Sequence, residues 1–153
     1  PENIRYSNIA STCARARGTG TELSKVRPLK SSILVVTPRL SVSTRTVFTG
    51  IDECTISDRP NNDKLCRALR YGDKAAGYSE MINVLEEFTL KAYPEVAELK
   101  RYMIETCEGA RKVLMSGSGP TVFAIFDSEN QAKKYAAVFK EKSCFVFWAR
   151  TMI

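Results

Sequence analysis

Met115-Ser116-Gly117-Ser118-Gly119-Pro120-Thr121-Val122-Phe123-Ala124-Ile125-Phe126 is the stretch on which the fold turns. Thr121 to Phe126 is β-branched and aromatic and reads as a buried strand. Met115 to Pro120 is a glycine-rich loop, and a second apolar run, Lys112 to Met115, leads into it. The element is therefore strand, loop, strand. A Walker-type phosphate loop runs instead from strand into helix and ends in Gly-Lys-Ser/Thr. Two glycines at alternate positions let the backbone turn sharply and let another chain or an anion come close. Successive N–H groups in such a turn form an anion-binding concavity. The same residues also suit a plain tight hairpin with serines making local hydrogen bonds. Spacing alone does not separate the two.

Working outward, Ile33-Leu34-Val35-Val36 reads as a buried strand closed by Thr37-Pro38, since proline cannot donate to a ladder. Asn61 to Tyr71 reads as a short helix, with Leu65 and Leu69 one turn apart and Gly72 as its stop. Tyr78, Met81, Ile82, Leu85 and Phe88 at helical spacing predict one longer helix from about Lys74 to Lys91. Pro94 opens another helix, whose apolar face is Val96, Leu99, Met103 and Cys107. Ser128 and Gln131 form a capping-box pattern ahead of a helix with Ala132, Tyr135, Ala136 and Phe139 on one side. Phe145-Val146-Phe147-Trp148 reads as a final strand whose aromatics fill the core. The sum is an α+β fold: an antiparallel sheet of about four strands covered on one face by helices.

The bulk properties agree with that picture. A chain of 153 residues, 44% apolar and 26% charged, is one ordinary globular domain by size and composition. No apolar run reaches membrane-spanning length, and the first residues are polar and mixed, so a cytosolic address is expected. The net charge of +6 points to anionic partners. Histidine is absent, which excludes a histidine general base and every histidine-containing metal site. Cys13, Cys54, Cys66, Cys107 and Cys144 include no C-x-x-C pair and read as free, mostly buried thiols.

Residues 1 to about 30 carry few large apolar side chains, and Gly18-Thr19-Gly20 marks a turn there. Alternation around Cys13, Arg15 and Arg17 permits a short strand, but this segment is not expected to fold alone. Ser41 to Phe48 combines hydroxyls, a cation and an aromatic ring. That set suits a nucleotide, the ring stacking on a base while hydroxyls and guanidinium meet polar edges or phosphate. It equally suits a helix start capped by Thr44, with Val47 and Phe48 anchored in the core. Glu86 and Glu87 read as solvated glutamates, and no pair of carboxylates suggests acid–base catalysis.

Four motifs fall in order: Pro38…Val42-Ser43-Thr44 with Val47-Phe48, then Asn83-x-Leu85-Glu86, then Tyr93-Pro94-Glu95, then Met115-Ser116-Gly117-Ser118-Gly119-Pro120-Thr121-Val122-Phe123. Together they resemble the C-terminal half of the GHMP kinase superfamily, from about Gly18 to the end. Within it the resemblance is to kinases whose alcohol substrate is a cytidine diphosphate derivative of methylerythritol, on the non-mevalonate route to isoprenoid precursors. It implies a remnant of an N-terminal lobe over 1–30 and a ferredoxin-like C-terminal domain over 31–153. The implied reaction moves the γ-phosphoryl of ATP, with Mg²⁺, to the tertiary 2-hydroxyl of that substrate.

The resemblance further implies that Phe48 stacks on the cytosine, with Thr44 and Arg45 beside it and Thr19 nearby. Ser116, Gly117, Ser118 and Gly119 would pack under the ATP-phosphate loop. That loop and the catalytic lysine and aspartate belong to the N-terminal lobe, so no catalytic or metal residue is expected in this chain, and ATP and Mg²⁺ would bind through that lobe. The superfamily's aspartate would fall near Asn3 and Ile4, where Pro1-Glu2-Asn3-Ile4-Arg5-Tyr6 has none, and its glutamate after G-x-G is Thr21 here. The implied partners are the cytidine diphosphate substrate and the N-terminal lobe, with no membrane. A nucleic-acid-binding module is the competing reading, resting on basic charge and the aromatic final strand. Those aromatics lack a Lys/Arg-Gly-Phe context and are expected to point inward. Another GHMP-type small-molecule kinase is a further alternative, against which Phe48 in its Ser-Thr-x-x-Val-Phe setting argues.

Overall fold

In a computed structural model that describes residues 13–140 and 145–151, the apolar run read as a strand from Ile33 to Val36 becomes the centre of a sheet. The expectations for Pro1 to Tyr6 and for Cys144 lie outside the described residues. A hairpin of β1 (Ala14–Arg17) and β2 (Glu22–Lys25) comes first, followed by β3 (Ser32–Thr37). Five helices follow: α1 (Thr44–Ile51), α2 (Asn62–Tyr71), α3 (Lys74–Ser79), α4 (Glu86–Ala92) and α5 (Pro94–Thr106). The chain continues through β4 (Lys112–Met115), β5 (Val122–Phe126), α6 (Glu129–Lys140) and β6 (Phe145–Arg150).

The main sheet has the order β4-β5-β3-β6, every neighbouring pair antiparallel. From β3 onward this is the β-α-β-β-α-β arrangement of a ferredoxin-like fold. Ser32, Leu34 and Val36 on β3 are buried, the two-residue period of a strand with one face on a core. Register carries that face across the sheet: Leu34 lies opposite Ala124 and Trp148, and Val36 opposite Val122 and Val146. Val96, Met103 and Cys107 of α5 and its C-cap, with Ala132, Tyr135, Ala136 and Phe139 of α6, cover it. Phe126 stacks on Tyr135 at 5.6 Å, and Tyr102 meets Phe139 edge-on at 5.4 Å. Each large apolar side chain so buried stabilises by about 1.5–3 kcal/mol.

Three details depart from the sequence reading. The helix expected from about Lys74 to Lys91 is two, α3 and α4, separated by residues 80–85. Asn83 breaks it: its carboxamide oxygen accepts from Leu85 N–H at 3.2 Å while its nitrogen reaches a distant loop. Phe145 and Phe147 do not fill the core. They stand 67% and 44% exposed on the opposite face of β6, touching edge to face at 5.9 Å, while Val146 and Trp148 turn inward. The strand period, once Val146 is inside, leaves them nowhere else to go. Gln131 does not close a capping box over α6 but lies against Gly109, its Nε2 occupying the space that a Cβ there would need.

Capping elsewhere follows the sequence. Asn61 accepts from Lys64 N–H at 3.0 Å, and Gly72, at φ 76°, ends α2. The hairpin forms its own two-stranded sheet and is tied to α2 by Arg15 on Asp63 at 2.6 Å. Asp127, after β5, collects Arg111 Nε at 2.7 Å, Lys74 Nζ at 3.2 Å and the Tyr78 hydroxyl at 3.2 Å. Burial alone would raise that carboxyl; the hydrogen bonds from Arg111, Lys74 and Tyr78 outweigh it and hold it below the usual carboxylate range. Of the cysteines described, Cys107 alone is buried, and burial pushes its thiol up to about 12.

Candidate functional site

The site is built where α1, the β4–β5 loop and the segment leading into α4 meet. Ser43, not Thr44, caps α1, its hydroxyl accepting from Thr46 N–H at 3.3 Å. That frees the Thr44 hydroxyl, which meets the Ser118 hydroxyl at 3.0 Å. Val47 and Gly50 turn α1 toward the protein, and Gly50 lies under the ring of Phe88 on α4. The opposite face holds Phe48, 56% exposed, so the ring is not anchored in the core. Phe48, Ile82, Leu114, Phe123, Ser116 and Gly117 are among the residues lining one cavity of about 570 Å³.

The loop is a hairpin end with a defined twist. Ser116 N–H donates to Thr121 C=O at 2.8 Å and Gly119 N–H to Ser116 C=O at 3.0 Å. Gly117 at φ 56° and Gly119 at φ 88° take left-handed conformations that side chains resist. A Cβ on Gly119 would also stand 2.8 Å from the Met115 sulfur and 3.3 Å from Thr89 Cγ2. Three loop carbonyls are held from the α4 side. Asn83 Nδ2 donates to Met115 C=O at 2.9 Å and Gly117 C=O at 2.8 Å, and Thr89 Oγ1 to Ser118 C=O at 3.3 Å. Among the described residues, nothing accepts from Gly117 N–H or Ser118 N–H. A trans peptide points its N–H opposite its C=O, so anchoring Gly117 C=O aims Ser118 N–H away from α4. Two consecutive unpaired amides beside left-handed glycines have the form of an anion nest.

Thr44, Phe48 and Ser116 to Gly119 are thus brought together. Arg45 shares the first turn of α1, exposed and without an ion pair or hydrogen bond to a described residue. Thr19 is not brought in: it sits exposed in the turn between β1 and β2, in a hairpin held on α2. Sequence reasoning missed Asn83, Glu86, Thr89 and Lys100. Glu86 is not solvated: it is 15% exposed, its Oε2 takes Lys100 Nζ at 2.6 Å and its Oε1 takes Met115 N–H at 2.7 Å. A polar Asn83 and Thr89 inside an apolar helical stripe were the available signal; nothing local marks Glu86 as paired.

The arrangement can present a flat ring, two hydroxyls and two amides to an anionic ligand. It holds no acid–base pair. Among the described residues no group of three His, Cys, Asp or Glu is placed to hold a metal ion, and no helix is long and apolar enough to cross a membrane.

The chain is similar to several known proteins. Over 145 residues the chain is 35% identical to the 4-diphosphocytidyl-2-C-methyl-D-erythritol kinase of Clostridium acetobutylicum, covering 94% of this chain and 51% of that protein. The kinase of the same name from Alkaliphilus metalliredigens is 39% identical over 126 residues, 82% of this chain and 43% of that one. The chain therefore spans about half the length of the relatives it matches. A solved 4-(cytidine 5'-diphospho)-2C-methyl-D-erythritol kinase superposes with a TM-score of 0.69 at 24% identity, over 90% of this chain and 50% of that one. Homoserine kinase from Cytophaga hutchinsonii superposes at 0.65 and 17% identity, over 92% and 48%, so the fold extends across kinases of different substrates. The family model described as GHMP kinases C terminal matches residues 66–143, half of the chain, from α2 through the end of α6. The chain belongs to the GHMP kinase family, whose C-terminal domain it carries.

Proposed function

We propose that this chain is the substrate-binding part of a cytoplasmic kinase that transfers the γ-phosphoryl of ATP to the 2-hydroxyl of 4-diphosphocytidyl-2-C-methyl-D-erythritol, a step toward isoprenoid precursors. The observation that carries the reading is Phe48, held out from α1 over a cavity whose other wall is the glycine loop. An exposed ring there serves as a stacking platform for a pyrimidine, a contact worth about 1–3 kcal/mol per base. Thr44 and Arg45, on the first turn of the same helix, supply a hydroxyl and a cation for the polar edge or the diphosphate.

The unpaired amides of Gly117 and Ser118 suit phosphate oxygens, so the loop fits a place in the ATP-phosphate site. The described residues offer no cage for Mg²⁺. Phosphoryl transfer depends on positioning and charge stabilisation, and positioning is what these residues can give. A catalytic base and lysine would come from sequence corresponding to the other half of the relatives. The partners are a small molecule and that other half, rather than nucleic acid: the outward Phe145 and Phe147 stand on a different edge of the sheet from the cavity.

The test joins this chain to the half of the Clostridium acetobutylicum kinase that it does not match and assays ATP-dependent phosphorylation. Turnover of the cytidine substrate, lost in Phe48→Ala, is the expected outcome. A folded fusion that phosphorylates homoserine and ignores the cytidine compound would replace the substrate; one that acts on neither and binds no cytidine diphosphate would overturn the reading.

A further inference from the structure

Met115 is the last residue of β4, and β4 is an edge strand of the sheet. On its inner side it pairs with Val122. On its outer side a strand would normally leave one N–H and one C=O unpaired. Here two side chains supply what a neighbouring strand would: Glu86 Oε1 accepts from Met115 N–H at 2.7 Å, and Asn83 Nδ2 donates to Met115 C=O at 2.9 Å. Asn83 then continues to Gly117 C=O, and Thr89, one helical turn past Glu86, takes Ser118 C=O. The glycine loop is suspended from α4 and its lead-in, not merely closed on itself.

Glu86 could make that bond without Lys100, yet Lys100 comes across from α5 to 2.6 Å, at 17% exposure. Two largely desolvated charges are a poor way to gain stability, because their desolvation roughly cancels their attraction and apolar replacements often do as well. What the pair does provide is direction. Lys100 fixes one carboxylate oxygen, so the other is left facing Met115. An aliphatic side chain at position 86 would fill the space and leave a buried N–H without an acceptor.

We propose that Glu86, oriented by Lys100, is a positioning residue that sets the conformation of the glycine loop and thereby the affinity of the Gly117 and Ser118 amides for nucleotide phosphate. It touches no ligand itself. The consequence for ATP rests on the kinase reading above; the consequence for the loop does not.

The loop half is tested in the unfused chain by amide hydrogen exchange, residue by residue. Glu86→Ala should speed exchange at Met115, Ser116 and Gly119, the amides of this segment that are hydrogen-bonded, about tenfold or more, the scale of losing a hydrogen bond to a charged acceptor, with β3 and β6 unchanged. Glu86→Gln keeps an acceptor oxygen and should stay within about threefold, while Lys100→Met, which keeps the carboxylate but not its orientation, should fall between. If Glu86→Ala does not fold, Lys100→Met still carries the test. Exchange that rises evenly across the chain, or Gln no better than Ala, would overturn the proposal.

The affinity half is read in the fused kinase. Glu86→Ala should raise KM for ATP about tenfold with KM for the cytidine substrate within about twofold, and Gln should restore it. Equal loss on both substrates would reduce Glu86 to a structural role and overturn the proposal. A wild-type fusion with no kinase activity would sink the functional reading alone, and the exchange pattern would still decide the positioning role.

Discussion

Gly50 is the next-to-last residue of α1 and has an ordinary helical backbone, so Gly50→Ala ought by propensity alone to stabilise the chain by up to about 1 kcal/mol. The structure reverses the sign. A Cβ at position 50 would fall inside the van der Waals envelope of three ring carbons of Phe88, Cε2, Cδ2 and Cζ. Ordinary carbon contacts sit near 3.5–4.0 Å, so the ring or the helix must retreat by on the order of 1 Å. The ring is half-buried and cannot simply swing into solvent, and overpacking of this kind costs about 1–3 kcal/mol. Set against the propensity gain, the net effect is a loss of up to about 2 kcal/mol. Because α1 rests on α4 through this contact, the displacement also shifts Thr44 away from Ser118 and Phe48 away from its cavity. Urea unfolding of Gly50→Ala beside wild type measures the first effect, and Gly50→Ala/Phe88→Ala measures the relief of the clash as a coupling energy. A single mutant more stable than wild type, or a pair of substitutions that simply add, would refute the reasoning.

Phe48→Ala should weaken binding of cytidine diphosphate about tenfold or more while leaving the melting temperature within a degree or two, since the ring is mostly in water; calorimetry and a thermal melt give both numbers. Asp127 has a carboxyl held below its usual range, so it contributes stability that is present above about pH 4 and lost as pH falls through its lowered folded value. Asp127→Asn should therefore flatten that part of the acid limb below about pH 4, modestly because the group is partly exposed, and an unchanged limb in a pH series of urea melts would count against it. Cys107, raised to about 12 and buried, should resist alkylation at pH 8 in the native chain and react on unfolding, whereas exposed Cys13 should react at once; peptide mass spectrometry separates the two.

What the sequence made legible was local. Asn61 and Gly72 bracket α2 because cap chemistry is read within a few residues, and β3 and β5 announce themselves by runs too apolar and branched for a loop. The α+β arrangement followed from the order of those runs. Which face of β6 turns inward was not local: it depends on the register with β3, which puts Val146 opposite Val36, and the sequence of β6 offers aromatics to either side. The break between α3 and α4 was hidden because apolar spacing continues through it; what breaks the helix is the use of Asn83 by a loop 32 to 34 residues away. Glu86 looked solvated for the same reason, its partners being Lys100 and the backbone of Met115. In the site, Phe48, Thr44 and the glycine loop were suggested by motif order, but their meeting across one cavity is a fact of tertiary structure.

The side chains that occupy the outer edge of β4 at Met115 also bear on how the molecule behaves in a crowd. A sheet whose two borders carry no further strand among the described residues invites neighbours to extend it, the first step toward fibrils and runaway assembly. Here one border is plugged at its loop end by Asn83 and Glu86, while the other, β6, carries outward aromatics and only Arg150 as a charge. Sticking of this domain to copies of itself would thus be one-sided, beginning at β6. A lysine in place of Phe147 would be the first change to make for a preparation that clouds on concentration.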